Sequence, residues 1–87
     1  MKFKIYSKQG CSSCTQAKQL LESKGIEFEY LVFGRDYDME KFMSLNSRHK
    51  SFPLITVVER YDGVDMHEQY IGGLVELKEL LATKYSK

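Results

Sequence analysis

The sequence predicts an α/β fold with element order β-α-β-α-β-β-α, in which three helices pack on a mixed four-stranded sheet. Three observations predict it. The chain opens on a short alternating stretch, Lys2 to Ser7. A β-branched run, Leu54-Ile55-Thr56-Val57-Val58, is followed by the turn pair Asp62-Gly63. Three further segments carry apolar residues every three or four positions. The 87 residues suffice for one domain, 1–87, with a core beneath two layers of secondary structure, and are too few for a second substrate-binding domain. There are no internal repeats, linkers or low-complexity segments.

Phe3-Lys4-Ile5-Tyr6 alternates β-branched and aromatic residues with polar ones and reads as the first strand. Lys8-Gln9-Gly10 breaks it. From about Ser12 the positions Cys14, Ala17, Lys18, Leu20 and Leu21 share one helical face, with Gly25 placed as a C-terminal cap. Glu27 to Phe33 reads as the second strand, ended by Gly34-Arg35-Asp36. Asp38 is the expected N-cap of a second helix carrying Met39, Phe42, Met43 and Leu45 and closing near Asn46. A basic loop, Ser47 to Ser51, leads to the single proline, Pro53, which opens the buried strand Leu54–Val58. Asp62-Gly63 then turns the chain into a strand from about Met66 to Ile71. Gly72-Gly73 precedes a last amphipathic helix with Leu74, Val75, Leu77, Leu80 and Leu81. The order implies two parallel βαβ-like passages and an antiparallel edge from the final hairpin.

Composition excludes several classes of function. An apolar fraction of 43% with 29% charged residues is that of an ordinary globular protein. No apolar stretch approaches the roughly 20 residues of a membrane span, and the start Met1-Lys2-Phe3-Lys4 has no long apolar run of a secretory signal. A reducing, cytoplasmic location and no membrane partner are expected. The net charge of +1, with basic residues scattered, leaves no electrostatic footprint for nucleic acid.

The two cysteines, Cys11 and Cys14, are too close together for their disulfide to restrain much of the chain, so their spacing points to chemistry. A thiolate is the nucleophile in disulfide exchange, and the predicted helix N-terminus offers Cys11 free N–H groups and the positive end of the helix dipole. Lys8 adds a cation three residues upstream. Cys14, one turn further in, is placed to resolve a mixed disulfide on Cys11. Cys-x-x-Cys is also half a zinc site, but two more ligands would have to come from His49 and His67, which a strand and a turn separate. Two unrelated buried thiols are the remaining alternative.

The segment Tyr6-Ser7-Lys8-Gln9-Gly10-Cys11-Ser12-Ser13-Cys14 resembles the active-site loop of glutaredoxins. Ser51-Phe52-Pro53 stands where that family has Thr-Val-Pro with a cis proline, and Ile71-Gly72-Gly73 matches the Gly-Gly before its last helix. The resemblance covers essentially the whole chain and implies the thioredoxin-like (glutaredoxin) fold. It also implies a thiol–disulfide oxidoreductase that reduces protein or glutathione mixed disulfides, with Cys11 as nucleophile and Cys14 as resolving thiol. Substrate or glutathione contacts are implied for Lys8, Ser13, Lys50, Phe52, Pro53, Gly72 and Gly73. A cis Phe52-Pro53 bond would present the Phe52 backbone to an extended peptide, and the last helix N-terminus would receive a carboxylate. Glutathione is then the co-substrate, with no tightly bound cofactor and no metal. Disulfide-containing proteins, ribonucleotide reductase among them by family resemblance, are the expected partners of a monomer recharged by glutathione or by a thioredoxin-reductase-like flavoenzyme.

The chain departs from the family pattern in three places. Leu74 and Val75 follow the Gly-Gly where many glutaredoxins have a small or polar residue and then an Asp for the glutathione amino group. Ser12-Ser13 replaces Pro-Tyr between the cysteines. The hairpin through Glu59-Arg60-Tyr61-Asp62-Gly63 is longer than usual. Two other functions therefore compete with catalysis. One is a non-catalytic binding module using the Phe52 edge and the Leu74-Val75 surface; the other is a glutathione-assisted iron–sulfur cluster carrier.

Overall fold

Alternation in the first strand places it at the centre of the sheet. Phe3 and Ile5 face one side and Lys2, Lys4 and Tyr6 the other, and both sides are covered well enough that five of its six residues are buried. The computed structural model describes residues 2–84, so residue 1 and residues 85–87 of the expected 1–87 domain lie outside the described residues. Its elements are β1 (Lys2–Ser7), α1 (Ser12–Ser23), β2 (Phe28–Val32), α2 (Met39–Leu45), β3 (Leu54–Tyr61), β4 (Val64–Gly72) and α3 (Leu74–Lys84). This is the order read from the sequence, and no described helix is long and apolar enough to cross a membrane.

The strands lie in the order β2-β1-β3-β4. β2 runs parallel to β1, in the register Ile5↔Tyr30. β3 is antiparallel to β1, with Ile5 opposite Ile55, which corrects the expectation of two parallel passages. The length of α2 explains the difference. Seven residues rise only about 10 Å, about half the length of a six-residue strand. The chain leaving α2 is therefore still at the end of the sheet where β1 finishes, and β3 must run back from there.

The final hairpin is formed by paired strands. Asp62 and Gly63 both take positive φ, 52° and 80°, as the tight turn matching strand twist requires. β3 extends past Val58 to Tyr61, and β4 begins at Val64. Tyr61 pairs with Val64 and Glu59 with Met66. These residues are exposed, beyond the core at the end of the hairpin, and polar and apolar types no longer alternate there with burial.

One apolar cluster joins Phe3, Ile5 and Ile55 of the sheet to Ala17 and Leu21 of α1 and Leu77 and Leu81 of α3. A smaller cluster, Tyr6, Phe42 and Leu54, lies under α2 on the opposite face. α1 is thereby fixed against the sheet with its N-terminus just beyond the end of β1, which is where the cysteines lie.

Candidate active site

Cys11 is the N-cap of α1: its backbone is extended, and its sulfur accepts a hydrogen bond from the Cys14 N–H at 3.1 Å. Gly10, in the left-handed region at φ 72°, makes the turn that delivers the chain from β1 into this position. Cys11 and Cys14 are joined as a disulfide, with Cα atoms 5.3 Å apart. The two sulfurs differ in access. Cys14 is completely buried, whereas Cys11 is partly exposed. Once reduced, only Cys11 is open to a substrate, and the donor on its sulfur and the helix dipole both favour its thiolate. The first turn of α1 holds no acidic residue to oppose that charge.

Lys8 shares a shallow hollow with Gln9, Gly10, Cys11 and Ser12. Its Nζ lies 5.2 Å from the centre of the Phe52 ring, within cation–π range. Phe52 precedes Pro53 through a cis peptide bond, as the family resemblance of Ser51-Phe52-Pro53 implies. Its ring packs at 4.8 Å from that of Phe42 and 6.2 Å from that of Phe33. Among the described residues no other backbone group takes its N–H or C=O. Pro53 is buried.

Beside this loop runs a groove of about 560 Å³, lined by Ser13, His49, Ser51, Phe52, Pro53, Tyr70, Ile71, Gly72, Gly73, Leu74, Val75 and Glu76. Five of the sequence-predicted residues, Ser13, Phe52, Pro53, Gly72 and Gly73, thus share one surface; Cys11 and Lys8 line the hollow next to it, with Lys8 over the Phe52 ring, and Cys14 is buried behind them. Lys50 is exposed and outside the lining; its neighbours His49 and Ser51 are in it. Gly72 takes φ 140°, and a Cβ there would come within 2.6 Å of the Glu76 side chain, so glycine is required twice over. Gly73 has no positive φ, and a Cβ there would make only ordinary contacts, so the backbone freedom expected of both glycines is used at Gly72 alone.

Two groove residues take places that the sequence does not assign them: Glu76, and His49, which the sequence offers only as a possible zinc ligand. Glu76 extends its carboxylate back to the Gly73 N–H at 2.8 Å, half of a capping box. The helix N-terminus expected to receive a ligand carboxylate therefore already holds one from its own chain. Its hydrogen bonds from the Gly73 and Glu76 N–H groups hold the carboxyl below its ordinary range, with His49 adding to the effect. The capping spacing Gly73-x-x-Glu76 is the sequence signal for it. His49 contacts the Tyr70 hydroxyl through Nδ1 and the Pro53 carbonyl through Nε2. Its local sequence does not announce this, since Tyr70 comes from β4, 21 residues on.

Comparison with known proteins agrees with this geometry. The glutaredoxin family model matches residues 3–61. The chain is 28% identical to glutaredoxin 1 from Francisella tularensis, whose crystal structure complexed with cacodylate superposes with a TM-score of 0.66 over 99% of this chain and 98% of that one. The solution structure of reduced Escherichia coli glutaredoxin, 18% identical, shares the fold with a TM-score of 0.75 over the whole of both chains. A curated relative, hybrid peroxiredoxin hyPrx5 from Haemophilus influenzae, is 32% identical over 78 residues, 90% of this chain. The match spans only 28% of that protein's length.

Proposed function

Since the chain belongs to the glutaredoxin family and carries a dithiol pair, its activity is thiol–disulfide exchange, and we propose that glutathione both recharges it and forms mixed disulfides that it reduces. The observation that carries this reading is the groove beside the cysteines. It combines the free Phe52 backbone edge, to pair with an extended peptide, with the Glu76 carboxylate, an acid facing the groove to meet a ligand's amino group. Glu76 supplies the charge that Leu74 and Val75 lack.

The reduced enzyme acts in two exchanges. The Cys11 thiolate attacks one sulfur of the substrate disulfide; the S–S bond breaks, and the other sulfur leaves as a thiolate that takes a proton. Cys14 then gives up its proton and attacks the Cys11 sulfur, releasing the second substrate thiol and forming the Cys11–Cys14 disulfide. Two glutathione molecules reverse the cycle. The first opens the disulfide at Cys11, returning Cys14 to a thiol; the second attacks that mixed disulfide, returning Cys11 and releasing oxidised glutathione. Protein disulfides enter by the same attack, and the name of the curated relative makes a peroxiredoxin one candidate among them.

A coupled assay with hydroxyethyl disulfide tests the reading, comparing glutathione plus its reductase with a thioredoxin reductase as electron source. Turnover is expected with glutathione, to be reduced to background in Cys11→Ser and partly kept in Cys14→Ser, which still forms and releases a glutathione mixed disulfide. Full activity in Cys11→Ser overturns the mechanism, and turnover with the flavoenzyme alone overturns the glutathione assignment.

A further inference from the structure

His49 joins three separate parts of the groove. It lies between α2 and β3, its N–H donating to the Asn46 carbonyl at 3.1 Å and its ring 6.0 Å from that of Phe42. Nε2 is 3.1 Å from the Pro53 carbonyl oxygen, and Nδ1 is 2.6 Å from the Tyr70 hydroxyl. A Cβ on Gly73 would stand 3.7 Å from its Cε1, so the ring also packs against the Gly-Gly turn.

The Pro53 carbonyl settles the hydrogen positions. A carbonyl oxygen only accepts, so Nε2 carries a hydrogen in either charge state of the ring. In the neutral ring Nδ1 is then an acceptor, and Tyr70 spends its O–H on it. In the imidazolium the Nδ1–H donates to the Tyr70 oxygen, and the hydroxyl hydrogen is released to turn into the groove. One proton therefore gives the groove a positive charge and a new donor, with no heavy atom displaced.

We infer that His49 and Tyr70 form a proton-set recognition pair for a carboxylate of the peptide ligand, with His49 the positioning residue acting through Tyr70. The inference rests on the glutathione reading above. The surrounding charges leave His49 as the variable group. Glu76 on α3 accepts from the Gly73 N–H through one oxygen and stays ionised. Tyr70 on β4 is held un-ionised by burial and by Glu76. α2 contributes the apolar ring of Phe42, and the loop of His49 itself carries Arg48 and Lys50, both exposed. Between about pH 5.5 and about pH 7.5 carboxylates and lysines keep their charge. His67, the other histidine, is exposed on β4 outside the groove lining.

The test uses the oxidised protein and S-methylglutathione, whose thioether cannot exchange, with affinity followed by amide NMR across that pH range. The charged ring is expected to hold the ligand about fivefold more tightly than the neutral one, so that binding weakens from the lower to the upper pH. His49→Gln, which keeps a donor for Pro53 but cannot titrate, should flatten the profile. Tyr70→Phe should remove most of the gain at low pH. By reciprocity the His49 ring of the unaltered protein should titrate about 0.7 of a pH unit higher with the ligand bound, a measurement needing no variant. A ring titration that the ligand leaves unmoved, or a pH dependence that survives in His49→Gln, overturns the inference while leaving the glutathione reading standing. Absence of binding at every pH overturns both.

Discussion

Phe3 and Ile5 turn to one face of the sheet, where they meet Ala17, Leu21, Leu77 and Leu81 in an apolar core. Lys2, Lys4 and Tyr6 turn to the other and meet carboxylates. Lys2 pairs with Asp65 at 3.1 Å and Glu29 at 3.6 Å, and Lys4 with Asp65 at 3.5 Å. Glu68 accepts hydrogen bonds from the Tyr6 and Thr56 hydroxyls and lies 3.5 Å from Lys41. The cause is helix length. α1 and α3 run 12 and 11 residues across the first face, whereas α2, with seven, covers only the end near the cysteines. The strands under the rest of that face are covered by ion pairs and hydrogen-bonded side chains in place of a helix, and charge replaces carbon. Stability therefore resides mainly on the face that holds Cys14 and α1 in place. The groove opens at the end of the sheet, where the loop with His49 that follows α2 meets the N-terminal turns of α1 and α3.

The largest effect that tests this division is Leu21→Ala. Leu21 is fully buried between α1 and the sheet, and its truncation should cost about 3 kcal/mol, read by urea unfolding. Met43→Ala on α2, where the side chain is 48% exposed, should change stability by less than about 0.5 kcal/mol. Equal losses at the two sites would break the comparison.

Glu68 sharpens it on the polar face. Burial pushes its carboxyl up, but the Tyr6 and Thr56 hydroxyls, Lys41 and Lys4 together outweigh that and bring it below the ordinary value. A depressed folded-state pKa means the stabilisation is present above the unfolded value, about 4.3, and is lost as pH falls through the folded one. Thr56→Val, at a residue with no exposure, removes one donor and should cost about 1.5 kcal/mol at neutral pH. The difference from the parent should shrink as the pH falls through the carboxylate range. A deficit that stays constant with pH would show that the hydroxyl serves packing and not the charge.

Much of the fold was legible in the sequence because its signals are local. The Lys2–Tyr6 alternation, the Asp38 cap and the Asp62-Gly63 turn each depend on a few adjacent residues. Cys11 was legible for the same reason, since a helix N-cap is a local position. The direction of β3 was misread because it depends on where a short helix leaves the chain in space, a quantity periodicity does not carry. The place of His49 in the groove was not legible because Tyr70 meets the loop of His49 and Pro53 only when β3 and β4 pair. Glu76 was legible in principle, through its spacing from Gly73.

The exit of α1 offers the smallest effect and separates backbone from charge. Gly25 takes φ 66°; its N–H donates to the Glu22 carbonyl and the Ile26 N–H to that of Leu21, both at 3.1 Å, the paired bonds of a Schellman cap. Ile26 packs on the apolar cluster, so the cap sets how β2 enters the sheet. A Cβ at residue 25 would meet nothing within 4 Å. The cost of Gly25→Ala is therefore conformational alone, about 1 kcal/mol, and Gly25→Asn should cost less because asparagine tolerates the left-handed region. No titratable group takes part in the cap. The Gly25→Ala deficit should hold steady over the pH range in which that of Thr56→Val fades, and a deficit that followed pH would place charge on the face assigned to carbon.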